Sequence, residues 1–227
     1  MKRLLIVVAC LLAAACTTTN TKAALSVTPP SPGATILLVK PDIELSLLTA
    51  AGMSEPRADW TEQAVTNVGN ALEHSVASSS HTFREVDPAS AMEGRSGQLL
   101  RLHEAVGNSI LVFEYGLLPL PTHSGSFNWT LGEGAQSLAE QYDADYALFT
   151  FGRGNYASSA RVATFVVMSA LGVGIPLGSQ QVFTSLVDLR TGQVIWFNVG
   201  VAGPSADMRN PQGAQSLVDS MMKGAPL

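Results

Sequence analysis

The chain has 227 residues, 46% of them hydrophobic and 14% charged, with 13 basic and 18 acidic side chains and a formal charge of −5. A net negative chain with no basic run excludes a nucleic-acid binder, and this length gives one domain by default. Its two cysteines, Cys10 and Cys16, both lie near the start, which excludes a core built on disulfides or metal-bound thiolates.

The first residues are Met1-Lys2-Arg3, then an uncharged apolar run from 4 to 12, then Ala13-Ala14-Ala15-Cys16. A cationic start, a short apolar stretch and small residues before a cut describe a secretory leader; the run is well short of the roughly 20 residues of a membrane span. Small residues directly followed by Cys resemble the bacterial lipobox, in which the Cys is acylated by chains such as palmitate and the cut falls before it. Residues 1–15 are thus expected to be a lipoprotein signal peptide and Cys16 the lipidated residue. Lys2, Arg3 and Cys10 leave with the leader, so 11 basic residues remain against 18 acidic ones, a formal charge of −7.

Residues 16–33 are rich in Thr, Ser and Pro and read as a flexible tether. A single domain is expected over 34–227. Residues 34–39 form a short continuous apolar run that suits a strand covered on both faces, ended by Lys40-Pro41-Asp42. Residues 56–76 read as a helix, with Trp60, Ala64, Val68, Leu72 and Val76 at spacing four and a cap expected from Asp59 and Glu62. Residues 82–86 are a short strand, 97–115 a helix carrying Leu99, Leu102, Val106 and Ile110, and 117–128 a long loop. Helix 131–142 and strand 146–151 follow, then a helix over 157–171. Residues 181–189 and 194–199 flank Arg190-Thr191-Gly192-Gln193 and read as a hairpin; 212–222 closes the chain as a helix. Ile36, Leu38, Leu148, Val187 and Ile195 are expected in the core. Strands interleaved with helices give an α/β domain with a layered, mixed sheet that closes on an antiparallel hairpin.

No Asp, Glu, Lys, Arg or His occurs from Val162 to Val187. The apolar part, 162–177, is short for a membrane span and is broken by Gly172, Gly174 and Pro176. It reads as a buried helix, with an exposed interface and membrane insertion as alternatives.

Residues able to carry chemistry are sparse. His74, His81, His103 and His123 form no metal pair at spacing three or four, so no metal and no cofactor are expected. Gly94-Arg95-Ser96-Gly97 is one residue short of a nucleophile elbow. Gly152-Arg153-Gly154 and Gly172-Val173-Gly174 lack a dinucleotide fingerprint and read as turn glycines. Asp143 and Asp145 read as backbone-bonding turn residues, and Glu114 and Glu133 show no partner. Arg153 and Arg161, with small polar residues between them, are the candidate ligand site, a clamp for a phosphate or carboxylate, with pairing to Asp143 or Asp145 as the alternative. No catalytic residue is assigned.

Three segments together carry a family resemblance: Asp145-Tyr146-Ala147-Leu148-Phe149, the run Leu186-Val187-Asp188-Leu189-Arg190-Thr191-Gly192-Gln193-Val194-Ile195-Trp196, and the lipobox. A strand ending in Val-Asp-Leu, a Thr-Gly turn and an apolar strand ending in Trp are similar to the curli-secretion lipoprotein family and related periplasm-facing envelope-assembly lipoproteins. The resemblance implies an accessory or assembly role, a protein partner or homo-oligomer, and attachment to the membrane through the N-terminal lipid. Residues 162–171 do not alternate as a pore hairpin would, so pore formation does not carry over. Thr17 after the Cys implies the outer membrane, on its periplasmic face. A non-enzymatic lipoprotein is therefore the expected function, with a periplasmic enzyme on cell-wall or glycan material, or a small-ligand carrier, as alternatives.

Overall fold

Alternating and continuous apolar runs set the strands. The computed structural model describes residues 17–24, 29–91, 94–116, 118, 120, 121, 126–203 and 205–227. In chain order the elements are β1 (Thr18–Ala23), β2 (Thr35–Val39), β3 (Asp42–Leu48), β4 (Ser54–Pro56), α1 (Ala58–Ser78), β5 (Thr82–Val86), α2 (Gly94–Glu114), α3 (Gln136–Tyr142), β6 (Tyr146–Ala157), α4 (Ser159–Ala170), β7 (Gln180–Asp188), β8 (Val194–Val201) and α5 (Pro211–Met221). The eight strands make one mixed sheet in the order β1-β8-β7-β6-β2-β5, with β3 paired to both β6 and β4. The expected α/β class and the closing antiparallel β7–β8 hairpin are both present.

β2 and β3 act as one interrupted strand beside β6. Both run parallel to it, but Leu38 sits opposite Leu148 while Asp42 sits opposite Phe151. The one extra residue falls at Lys40-Pro41, where Pro41 has no N–H to give a ladder. Residue patterns end the strand here and assign no element to 43–55; the Ile43, Leu45 and Leu48 side chains are buried and carry the sheet onward. β6 is accordingly twice the length expected, because β3 gives its second half a neighbour.

Because side chains alternate across a strand, the sheet has two cores. Ile36, Leu38, Leu148, Leu186 and Trp196 pack under α1 and α5, through Val68, Leu72, Leu217 and Val218. Leu37, Val39, Phe149, Phe183 and Phe197 pack under α2 and α3, through Leu99, Ile110 and Leu138. Trp196 and Phe197 thus face opposite layers. All five residues expected in the core are buried. In the β7–β8 turn Gly192 has φ 76°, and Asp188 accepts hydrogen bonds from the amides of Arg190 and Thr191.

Three local expectations are corrected. Thr18–Ala23 is an edge strand, antiparallel to β8, rather than part of a tether. Backbone pairing there is reinforced by Lys22 on Glu114 at 2.8 Å and by the Tyr115 hydroxyl on the Asn20 carbonyl at 3.1 Å. Asp59 does not cap α1; the N-cap is Arg57, with no side-chain cap, and the two residues pair instead. Gly152 and Gly154 lie inside β6, where a Cβ would press on Ile43 and on Gln180 respectively, so they mark close packing rather than a turn.

Candidate functional site

The register of the sheet gathers one end of the molecule. Arg153 of β6 pairs with Gln181, Gln181 with Val201, and Val201 with Thr18. β6 runs out at this end and β7 comes back from it, so the excursion of 158–179 leaves and returns here. The β3–β4 turn lies at the same end, since Leu48 pairs with Ala157. β1 starts here, which places Cys16 two residues beyond Thr18; Cys16 itself lies outside the described residues.

α4 is helical as expected but is not buried. Val166 is 61% exposed, Leu171 73%, Met53 in the β3–β4 turn 63% and Val201 at the end of β8 52%. The buried-helix reading of 162–177 is therefore wrong for this chain. An apolar periodicity records that a segment avoids water; here, among the described residues, no element covers Val162, Val166, Val167 or Leu171.

The base of the excursion is held firmly. The Ser158 side chain accepts the Arg161 amide and caps α4. Arg161, only 8% exposed, gives its Nε to the Pro176 carbonyl at 3.1 Å and an Nη1 hydrogen to the Ala50 carbonyl at 3.2 Å. It so joins both arms of the excursion to the β3–β4 turn. Asn155 and Ser179 exchange two further bonds across the neck. At the outer end Gly172, with φ 79°, closes the helix: its amide reaches the Ser169 carbonyl and that of Val173 reaches Met168. These are the two bonds of a Schellman cap.

Beside this end stands an arginine–aromatic cluster that residue patterns did not reveal. Trp60 and Tyr156 meet edge to face at 5.8 Å. The Arg57 guanidinium lies 4.3 Å from the Trp60 ring, and that of Arg209 lies 4.6 Å from Trp60 and 3.6 Å from Tyr156. Asp59 and Asp207 balance the two arginines. The Tyr156 hydroxyl donates to Gln180 and accepts the Met208 amide, and burial pushes the phenol above its ordinary range. Trp60, Tyr156 and Arg209 come from three distant segments, so only their types, not their spacing, hinted at a cluster.

The residues singled out from the sequence are dispersed. Arg153 stacks on Phe151 and is engaged by Asp42 at 3.0 Å and Glu44 at 3.3 Å, whereas Arg161 binds backbone carbonyls, so each guanidinium already has its own partners. Asp145 accepts the Thr35 amide and Asp143 pairs with Arg84. Glu114 accepts from Trp129 and Lys22, and Glu133 is exposed. Ser96 is buried and bonded to Gln141. His74 is exposed, His81 half-buried, and His123 lies outside the described residues. His103 is buried, stacked on Phe149 at 3.7 Å and bonded to Ser185 at 2.7 Å; burial pushes its imidazole down to about 3. The adjoining cavity, between Val39, Leu100, His103 and Phe151, has a volume of about 160 Å³, below the roughly 300 Å³ at which small-molecule sites begin. Among the described residues, no three His, Cys, Asp or Glu side chains converge as metal ligands, and no helix is long and apolar enough to cross a membrane.

No family model matches the chain, and no curated protein matches it. Solved structures do. A point variant of PelC from Paraburkholderia phytofirmans, solved as a dodecamer, is 14% identical with a TM-score of 0.42, over 93% of this chain and 97% of that one. A second PelC dodecamer from the same organism is 13% identical with a TM-score of 0.41, over 92% and 98%. At a TM-score below 0.5 such a likeness assigns no function.

Proposed function

We propose that this protein is a lipid-anchored lipoprotein on the periplasmic face of the outer membrane, a non-enzymatic accessory or assembly component that binds a protein partner there. The observation that carries the reading is the order Lys2-Arg3, apolar run, Ala13-Ala14-Ala15-Cys16. The docking of β1 gives it mechanical sense. Thr18 is already hydrogen-bonded into the sheet, so acyl chains on Cys16 would hold the domain at a fixed end rather than on a leash. The non-enzymatic part is supported by His103, whose imidazole is buried under Phe149, bonded to Ser185 and held neutral.

The test has two parts. Mass spectrometry of the N-terminal peptide from native membranes should show acyl chains on Cys16, and Cys16→Ser should release the protein from the outer-membrane fraction. One acyl chain holds only marginally, while two or more hold stably. If Cys16→Ser protein still sediments wholly with the outer membrane, the anchor lies elsewhere. Pull-down of the acylated protein from solubilised envelopes should bring down the same protein partner from independent preparations; recovery of the chain alone would count against an assembly role.

A further inference from the structure

We propose that the α4 end of the molecule is a lipid-contact surface, in which residues 162–177 and the β3–β4 turn enter the same leaflet that holds the acyl chains on Cys16. The proposal rests on the lipoprotein reading in one respect: the chains on Cys16 decide which end faces the bilayer. The rest is carried by the fold. Among the described residues eleven large hydrophobic side chains are exposed, and eight of them fall on α4, its return to β7, the β3–β4 turn and the end of β8. This is the end at which β1 begins, and Cys16 is two residues before Thr18, a reach of at most about 7 Å.

Charge is absent where lipid contact would require it. The excursion outside the sheet, residues 162–179, contains no ionisable side chain, and neither does the β3–β4 turn over 49–54, which holds Met53. Arg161 stands at the boundary and is turned inward onto two carbonyls. An ionic side chain in hydrocarbon is costly, so a surface meant for water would rarely run so long without one.

The breadth of the apolar face separates lipid from a protein groove. At 100° per residue, exposed Val162, Val166, Val167 and Leu171 spread over about half the circumference of α4. A helix seated on a single neighbour needs a stripe of only about 100°. Lipid, which surrounds an inserted element, accepts apolar side chains on every side. The twelve residues of α4 reach about 18 Å, short of the roughly 30 Å hydrocarbon core. The excursion therefore enters one leaflet and does not cross. The Ser158 cap and the Gly172 turn pair groups at the two ends of α4 that hydrocarbon would leave unsatisfied.

The mature acylated chain has no free thiol, since Cys10 leaves and Cys16 is modified. A single Leu171→Cys can thus carry an environment-sensitive nitrobenzoxadiazole label, with Leu102→Cys, on α2, as the reference site. In vesicles of phosphatidylethanolamine and phosphatidylglycerol the label at 171 should shift to the blue. Brominated acyl chains should quench it at least twofold more than the label at 102. Equal, water-like signals at both sites overturn the proposal. In a second arm the mature chain with Cys16→Ser is floated with the same vesicles. It should bind weakly, and Val166→Asp with Leu171→Asp should lower binding at least tenfold with an unchanged melting temperature, because both positions are exposed. Absent or unaffected vesicle binding sinks the lipid-contact surface. Should the aspartates leave vesicle binding alone but convert an oligomer to monomers, a second copy covers this face and the proposal falls. An unmodified Cys16 would defeat the lipoprotein reading alone, since the flotation arm still reads the surface; an acylated Cys16 with neither arm responding defeats the surface alone.

Discussion

At His103 the imidazole lies nearly parallel to Phe149, at 3.7 Å, and its Nε2 meets the Ser185 hydroxyl. Burial disfavours the charged ring, so the folded protein binds no proton there until about pH 3, whereas the unfolded chain binds one below about 6.5. The sign follows: the unfolded state holds more protons at low pH, so this residue lowers stability as pH falls from about 6.5 toward 3, by up to about 1.4 kcal/mol per pH unit. We expect a His103→Gln variant to lose less stability than the parent between pH 7 and 5 in denaturant titrations; equal losses would mean that His103 does not titrate as its packing requires. A second residue-scale outcome concerns Gly107. A Cβ there would stand 2.8 Å from the Phe183 ring, and Phe183 is itself held in a stack between Phe151 and Phe197. Helix propensity favours Gly107→Ala by about 1 kcal/mol, but overpacking a fixed ring costs about 1–3, so its melting temperature should fall.

At the scale of elements, β1 and the α4 excursion depend on few interactions. β1 covers the edge of β8, and the exposed part of the Lys22–Glu114 pair contributes less than about 1 kcal/mol, so backbone pairing and Tyr115 carry its docking. A chain beginning at Pro32 lacks β1 and leaves β8 as an open edge, a template for association. It should melt below the chain that begins at residue 16 and aggregate more readily; identical melting would show that β1 contributes nothing to the sheet. Arg161 acts differently, since it ties Ala50 to Pro176 without entering either core. Arg161→Met should raise amide exchange and protease cutting across 158–179 while moving the global melting temperature by only a few degrees. A collapse of the whole fold would instead make Arg161 part of the core.

For the whole molecule, stability resides in two cores separated by one sheet, and β2 feeds both. Ile36 and Leu38 point to the α1 and α5 layer, Leu37 and Val39 to the α2 and α3 layer. Leu38→Ala should cost about 2–5 kcal/mol by the cavity it leaves, read as a lower denaturation midpoint. An exposed residue of similar size, such as Val166, should tolerate Ala within about 0.5 kcal/mol. The contrast separates fold from surface: the α4 end adds little to stability, which leaves its apolar character to be explained by what it touches.

Strands β2, β5, β7 and β8 and the five helices are legible in the residues, because their apolar periods are local properties of the chain. The Gly192 turn and the opposed Trp196 and Phe197 follow from the same local rules. β1, β3 and β4 are not legible. Thr18–Ala23 has almost nothing to bury, and β3 follows a proline, so their pairing exists only because β8 and β6 offer open edges. The fate of α4 is the clearest case. Its composition states that it avoids water, but whether a neighbour covers it depends on the whole packing, and the fold leaves it bare. Arg153 and Arg161 likewise stood close in sequence, yet the sheet assigned one to Asp42 and Glu44 and the other to the carbonyls of Ala50 and Pro176. Composition and periodicity determined the class of the fold and most of its elements. Which edges pair, which arginines meet and which apolar helix stays exposed were decided by contacts between residues far apart in the chain, and no local pattern encodes those.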